Sequence, residues 1–143
     1  PTAGVVVTPR LVLDTNVFVA AGFRSGSASA RLIERAREGR LVVVWNEATR
    51  RETRAVLRRI PPISWEEVED VFGEAGRFDG PTDPDAFEAV PHPTDRKFAA
   101  LAAAARCLAV SSDRDLLAGR PHPGADVLEP AEALRWLEQV DGG

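Results

Sequence analysis

The chain has 143 residues, 44% of them hydrophobic, and a formal net charge of −4, which is ordinary for a globular domain with its own core. The acidic balance excludes a polycation that holds nucleic acid by bulk charge. The longest apolar run, FAALAAAA at 98–105, is too short to cross a membrane. A single cysteine, Cys107, and the lack of a charged-then-apolar leader predict a cytoplasmic protein that makes no membrane contact.

The first half of the chain alternates short apolar runs with longer helical patterns. Leu11–Leu13 predicts a strand, and SASARLIERAREG at 27–39 predicts a helix. Leu41–Trp45 predicts a second strand, apolar on both faces as a central parallel strand would be. Asn46–Ile60 predicts another helix, with Asn46 as its N-cap.

The middle of the chain is predicted to hold one helix and a long loop. Ser64–Gly76 predicts the helix, because Ser64 and Glu67 have the spacing of a capping box. The Pro- and Asp-rich stretch at 79–94 predicts a loop around a short strand at Phe87–Val90.

The remaining sequence returns to alternating helices and strands. The predicted elements are a helix at Asp95–Arg106, a strand at Cys107–Ser112, a helical turn at Asp113–Leu117, a strand at Ala125–Leu128 and a helix at Pro130–Val140. The whole pattern predicts a three-layer α/β/α sandwich around a mostly parallel sheet. We expect one domain over residues 1–143, with its core at about 10–140.

Carboxylates follow two of the predicted strands. Asp14 comes directly after the first strand, and Asp113 comes after the strand in CLAVSS. Because parallel strands end at a common edge of the sheet, we expect these side chains to lie close together. Aspartate is also a common helix N-cap, so either residue alone is explained equally well by capping.

Other acids are predicted to face the same edge. The neighbours of Glu52 three and four residues away are small or apolar, which predicts that Glu52 faces the core; a buried ion pair with an arginine is the alternative. Asp95 opens the Ala-rich helix, and Asp115 in SSDRDLL is a further candidate.

Grouped carboxylates require a proton or a cation, since two charges at 4 Å cost about 4 kcal/mol at an effective dielectric of 20. Oxygen ligands favour Mg²⁺ or Mn²⁺. His92 and His122 each lie between prolines and lack the spacing of metal ligands. The pattern therefore predicts a site for a hard divalent cation that activates water.

Four motifs in order resemble the PIN domain, the fold of the VapC-type ribonuclease toxins of toxin–antitoxin systems. The motifs are LVLDTNVFVAA, TRRETRAVL, DRKFAALAAA and VSSDRDLL, and the resemblance runs from about Leu11 to Leu137. The third motif is most similar to the toxin-component group of PIN proteins, in which Lys and Phe follow the acid, here as Lys97 and Phe98.

The resemblance implies a Mg²⁺- or Mn²⁺-dependent endoribonuclease that uses one or two ions. The catalytic acids would be Asp14, Glu52, Asp95 and Asp113, with Asp115 as an added metal ligand and Asn16 and Ser112 orienting the ligands. The family commonly has Thr where Ser112 stands, and both residues provide a hydroxyl. The resemblance also implies an RNA substrate, a homodimer and an antitoxin protein that blocks the toxin.

Arg50, Arg54 and Arg58 recur every four residues on the helix that carries Glu52. This spacing predicts a basic ridge along which RNA phosphates would lie. A solvated helix face or a docking surface for an acidic partner segment would give the same pattern.

Two other classes of protein are alternatives to a PIN-like ribonuclease. Receiver and haloacid-dehalogenase domains also end a strand with Asp, but Asp14 is followed by Thr15 and Asn16, so the second carboxylate of a dehalogenase is missing. A non-catalytic PIN-like module that binds RNA or protein is the other alternative, although all four acids are present.

Overall fold

The computed structural model describes residues 7–60, 63–90, 93–112 and 126–142, with side chains except at 93–95 and 141–142. The strands in these ranges are β1 (Arg10–Leu13), β2 (Val42–Val43), β3 (Leu108–Val110) and β4 (Val127–Leu128). They form a parallel sheet in the order β2-β1-β3-β4, so β1 and β3 are central neighbours.

Helices surround the sheet. The α-helices of the described ranges are α1 (Thr15–Phe23), α2 (Ala28–Arg37), α3 (Glu47–Arg59), α4 (Trp65–Val68), α5 (Pro93–Ala105) and α6 (Pro130–Gly142). Short 3-10 turns lie at Glu69–Val71, Glu74–Gly76 and Pro84–Phe87. In the described ranges, no helix is both long enough and apolar enough to cross a membrane.

Alternate strand residues supply two separate cores. Leu11, Leu13 and Val110 belong to the core shared with α1, α2, α3, α4 and α6. Val12 and Ala109 belong to the core shared with α5. Since side chains alternate across a strand, helices cover both faces of the sheet, and the predicted three-layer α/β/α fold is confirmed.

Most predicted helices are found with their expected ends. The Asn46 side chain accepts a hydrogen bond from the backbone N–H of Thr49, and the Thr49 side chain accepts one from the backbone N–H of Asn46. Gly39 follows the end of α2 with φ of +77°, a conformation that glycine adopts without a steric penalty. Pro130 is the first residue of α6, as predicted.

The strand predicted at Leu41–Trp45 is shorter and lies further out than expected. Only Val42 and Val43 form β2, which is an edge strand of the four-stranded sheet in the described residues rather than a central strand. Beyond it, Trp45 makes a parallel bridge to Arg77. This bridge and the helices on each side bury the strand. Its residues are therefore apolar because other segments cover them, and not because the strand is central.

The helix predicted at Ser64–Gly76 is wrong after its first turn. The chain forms α4 and then two 3-10 turns, and the Ser64 side chain makes no capping hydrogen bond within the described structure. The physical reason is the packing of this segment against β2 and the residues that follow it: the Gly76 backbone lies directly against the Val43 carbonyl, and Trp45 donates to the Gly76 carbonyl and accepts from the Phe78 N–H. These contacts hold the chain at 76–78 in an extended path beside Trp45.

The strand predicted at Phe87–Val90 is also wrong. A 3-10 turn begins at Pro84 and ends at Phe87, and the Val90 N–H donates to the Phe87 carbonyl. Phe87 and Val90 are both buried in the core beside α5. They lie three residues apart, which is a turn period, so their burial does not require a strand.

Two smaller expectations remain. The helical turn predicted at Asp113–Leu117 lies outside the described residues. Cys107 is half-buried just before β3, and burial raises the pKa of its thiol, which keeps it protonated like a small apolar side chain.

Candidate active site

Asp14 is the buried carboxylate at the end of the central strand β1. Asp14 is only 2% exposed. Its backbone N–H donates a 2.9 Å hydrogen bond to the Val110 carbonyl. Asp14 holds the N-cap position of α1, but its side chain makes no capping hydrogen bond there within the described structure. Helix capping therefore does not account for this aspartate.

Ser111 is the neighbour of Asp14 across the sheet. Its hydroxyl donates a 2.6 Å hydrogen bond to Oδ2 of Asp14, and both residues are buried. Ser111 is not among the site residues predicted from the sequence. A signal was present, because the register Leu13 opposite Val110 continues to Asp14 opposite Ser111 when LVLD and LAVS are aligned.

A buried hydroxyl pair brings α3 to this edge of the sheet. Oγ1 of Thr15, the residue after Asp14, lies 3.0 Å from Oγ1 of Thr53, and both residues are buried. Thr53 is adjacent to Glu52 in α3. This pair fixes the part of the helix that carries Glu52 against the segment that carries Asp14.

Glu52 lies at the margin of the buried face of α3, so the expectation that it faces the core is met only in part. The buried residues of that face are Thr49, Thr53 and Leu57, whereas the Glu52 side chain is 22% exposed. Counting apolar neighbours placed the buried stripe about 100° too far round the helix, because the centre of the stripe is formed partly by threonines.

The charge partner of Glu52 is Lys97 of α5. Nζ of Lys97 lies 3.4 Å from Oε1 of Glu52, and the lysine side chain is 25% exposed. The expected alternative for Glu52 was an ion pair with an arginine, and the structure has a lysine in that place. The pair joins α3 to the first half of α5 across the candidate site.

The structure describes the other predicted site residues to different extents. Asp95 is the third residue of α5, and its side chain is not described; Asp113 and Asp115 lie outside the described residues. Asn16 is half-buried in the first turn of α1. Ser112 is exposed and lines a surface cavity of about 350 Å³ together with Ser29 and Glu129. Their predicted roles stay predictions.

The described residues alone do not form a complete metal site. Among them, no group of three acidic, histidine or cysteine side chains is arranged to hold an ion. The two predicted ligands that are described do fit a hard cation. Asp14 is a buried carboxylate that does not cap its helix, and Glu52 already attracts a cation, the Lys97 ammonium.

The arginine ridge lies on a different side of α3 from Glu52. At about 100° per residue, the directions of Arg50, Arg54 and Arg58 are roughly 120–160° from that of Glu52. The Arg50 guanidinium stacks on two tryptophans, 5.9 Å from the ring centre of Trp45 and 5.1 Å from that of Trp65. Arg50 thus helps to pack α3 against α4, and RNA binding along the ridge stays a prediction.

Comparison with known proteins assigns a family to most of the chain. A family model described as PIN domain matches residues 10–115, which include β1, the helices α3 and α5, and the acids Asp113 and Asp115. Neither the curated proteins nor the solved structures gave a match.

Proposed function

The chain belongs to the PIN-domain family, whose members are generally nucleases, and we propose that it is a divalent-metal-dependent endoribonuclease that hydrolyses RNA phosphodiester bonds. We further propose that it is the toxin of a toxin–antitoxin pair. The toxin role is supported by the similarity of DRKFAALAAA to the toxin-component group of PIN proteins.

The observation that carries the nuclease proposal is the position of Asp14. Asp14 is a buried carboxylate at the end of a central parallel strand; its Oδ2 accepts a hydrogen bond from Ser111, and capping of α1 does not explain its place. The carboxyl edge of such a sheet is also where α/β proteins place their active sites. Thr15 and Thr53 bring the Glu52 segment to the same edge.

Each residue has a definite task in this proposal. Asp14 and Glu52, with Asp95, Asp113 and Asp115, would hold one or two Mg²⁺ or Mn²⁺ ions. When bound, the ions would supply activation of water and charge stabilisation at the phosphoryl group. Ser111 holds the orientation of Asp14 through its hydrogen bond, and Asn16 and Ser112 would orient further ligands.

The proposed partners follow from the resemblance to the toxin group. They are an RNA strand as substrate, an antitoxin protein that blocks the site, and a second copy of the chain in a homodimer. Light scattering on the purified chain would measure its mass in solution, and a monomer would contradict the dimer.

The proposal is tested by Mn²⁺-titration calorimetry and cleavage of a mixed-sequence RNA, with the wild type, Asp14→Asn and Glu66→Gln. Glu66 is exposed on α4 and supplies the matched loss of one acid outside the predicted ligand set. We expect Asp14→Asn to lose both Mn²⁺ binding and metal-dependent cleavage, and Glu66→Gln to keep both. Circular dichroism checks that each variant is folded.

The results also decide between the nuclease and the alternative of a non-catalytic binding module. RNA binding without cleavage, and without Asp14-dependent Mn²⁺ binding, would support the module. Equal cleavage by the wild type and Asp14→Asn would contradict the assigned site.

A further inference from the structure

The contact between Lys97 and Glu52 has the geometry of a weak and exchangeable ion pair. Charge-assisted N–H···O hydrogen bonds in proteins are commonly 2.7–2.9 Å long, and Nζ of Lys97 lies 3.4 Å from Oε1 of Glu52. Both side chains are about three-quarters buried, so water screens the pair only in part. The ammonium therefore neutralises Glu52 without holding it in a tight, directional contact.

The choice of lysine at this position is unusual for this chain. The sequence has 18 basic residues, and Lys97 is its single lysine. An arginine would offer a rigid fork that binds a carboxylate with two parallel hydrogen bonds. A lysine offers a compact charge on a flexible stem, which can leave the carboxylate when another cation arrives.

We propose that Lys97 is an internal cation that occupies Glu52 in the metal-free protein and is displaced from it when a divalent ion binds. This inference rests on the proposed function, since it takes Glu52 as a metal ligand. It assigns to Lys97 a charge-compensating role: the ammonium neutralises the Glu52 carboxylate at the candidate site between rounds of metal binding. The need to break the contact between Lys97 and Glu52 would then lower the affinity of the site for the ion.

The single lysine provides a direct test. In protein labelled with ¹³C,¹⁵N-lysine, the Cε–Hε resonance reports on Lys97 alone, and diamagnetic Mg²⁺ can be added while the resonance is observed. The Glu52→Gln variant shows where the resonance lies when the ammonium has no carboxylate beside it. We expect Mg²⁺ to move the wild-type resonance to that position and to leave the resonance of Glu52→Gln where it is.

Calorimetry with Mn²⁺ measures the competition itself. We expect Lys97→Met to bind Mn²⁺ roughly threefold to tenfold more tightly than the wild type, because no cation has to leave Glu52. Lys97→Arg should bind more weakly than the wild type, because its fork holds the carboxylate. The control is Arg51→Met, which also removes one cation beside Glu52 but from an exposed side chain about 100° round the helix.

The outcomes separate this inference from the proposed function. If Mg²⁺ binds and the lysine resonance stays in place, or if Lys97→Met and Arg51→Met change the Mn²⁺ affinity equally, Lys97 is not the displaced cation although the metal site stands. If the wild type binds neither ion, both the metal site and the exchange are contradicted.

Discussion

Two consecutive serines after β3 have different surroundings at the candidate site. Ser111 is buried and donates its hydroxyl hydrogen to Asp14, whereas Ser112 is exposed beside an open cavity. Removing a hydroxyl that donates to a buried carboxylate is costly, because water cannot reach the carboxylate to replace the lost hydrogen bond. A structural role at this edge therefore belongs to Ser111.

We expect Ser111→Ala to lower the free energy of unfolding by about 1–3 kcal/mol, the usual cost of leaving a buried acceptor short of a donor. Ser112→Ala is the matched control, and its effect should stay within about 0.5 kcal/mol, as for other exposed positions. Urea unfolding followed by tryptophan fluorescence measures both values. A larger loss in Ser112→Ala would mean that the hydroxyl facing Asp14 has been assigned to the wrong serine.

Asp14 and Glu52 show what sequence could predict about single residues. The position of Asp14 at the end of a buried strand was predictable because an apolar run leads directly into it, although helix capping explained this residue alone equally well. The partner of Glu52 was not, because Lys97 lies 45 residues away and the contact depends on how α3 and α5 pack. Local spacing carries no information about such a contact.

At the scale of elements, α3 carries Glu52, and a capping box determines where this helix begins. The Asn46 side chain and the Thr49 side chain each accept a hydrogen bond from the other's backbone N–H. The predicted capping box at Ser64 makes no side-chain capping bond in the described structure, although its spacing looks as favourable. The sequence pattern identifies candidates for caps, and the path of the chain before the helix decides which of them form.

We expect Asn46→Ala to destabilise the fold by about 1 kcal/mol, within the roughly 0.5–2 kcal/mol range for loss of an N-cap side chain. Ser64→Ala, at a cap position without such a bond, should change stability by less than about 0.5 kcal/mol. The urea midpoints of the two variants are compared after checking that their unfolding transitions have the same slope, the m value. Equal losses in both variants would show that the box at Asn46 contributes little beyond a generic polar residue.

Close packing of backbone against backbone joins the segment after α4 to β2. A Cβ built on Gly76 would lie 1.7 Å from the Val43 carbonyl oxygen, well inside van der Waals contact. The same test at Gly73 finds its nearest atom, the Asp70 carbonyl oxygen, at 3.7 Å. Only Gly76 needs to be glycine for this contact, which also explains why the helix predicted there does not form.

We expect Gly76→Ala to lower the free energy of unfolding by more than about 2 kcal/mol, because the chain must move away from β2 to admit the methyl group. Gly73→Ala should be tolerated, with a change of less than about 1 kcal/mol in either direction. Thermal unfolding of the two variants gives the comparison. Similar midpoints for both would contradict the close approach of Gly76 to Val43.

The whole fold was more predictable than its individual turns. Strand–helix alternation indicated a three-layer arrangement, and the central pair of strands followed from the two apolar runs that Asp14 and Asp113 follow. The helix predicted at 64–76 and the strand predicted at 87–90 were wrong because long-range packing decides the structure of these segments. Their buried residues pack against other elements, and the spacing of these residues follows neither helical nor strand periodicity.

For the whole molecule, a bound cation should stabilise the folded state, since the carboxylates are brought together only when the chain is folded. A ligand present at a hundredfold excess over its Kd contributes about 2.7 kcal/mol. For a chain of this size, that corresponds to an increase of roughly 9 °C in the unfolding midpoint. We expect this increase when Mn²⁺ is added to the wild type at constant ionic strength.

The same scan of Asp14→Asn separates a specific site from general binding to an acidic surface. With a net charge of −4, the chain would attract divalent ions weakly over its whole surface, and that attraction would survive the loss of one acid. The proposed site would not bind the ion without Asp14, because this buried carboxylate at the centre of the sheet is its proposed ligand. We therefore expect Mn²⁺ to leave the midpoint of Asp14→Asn within about 1 °C, and equal increases in both proteins would assign the ion to the surface.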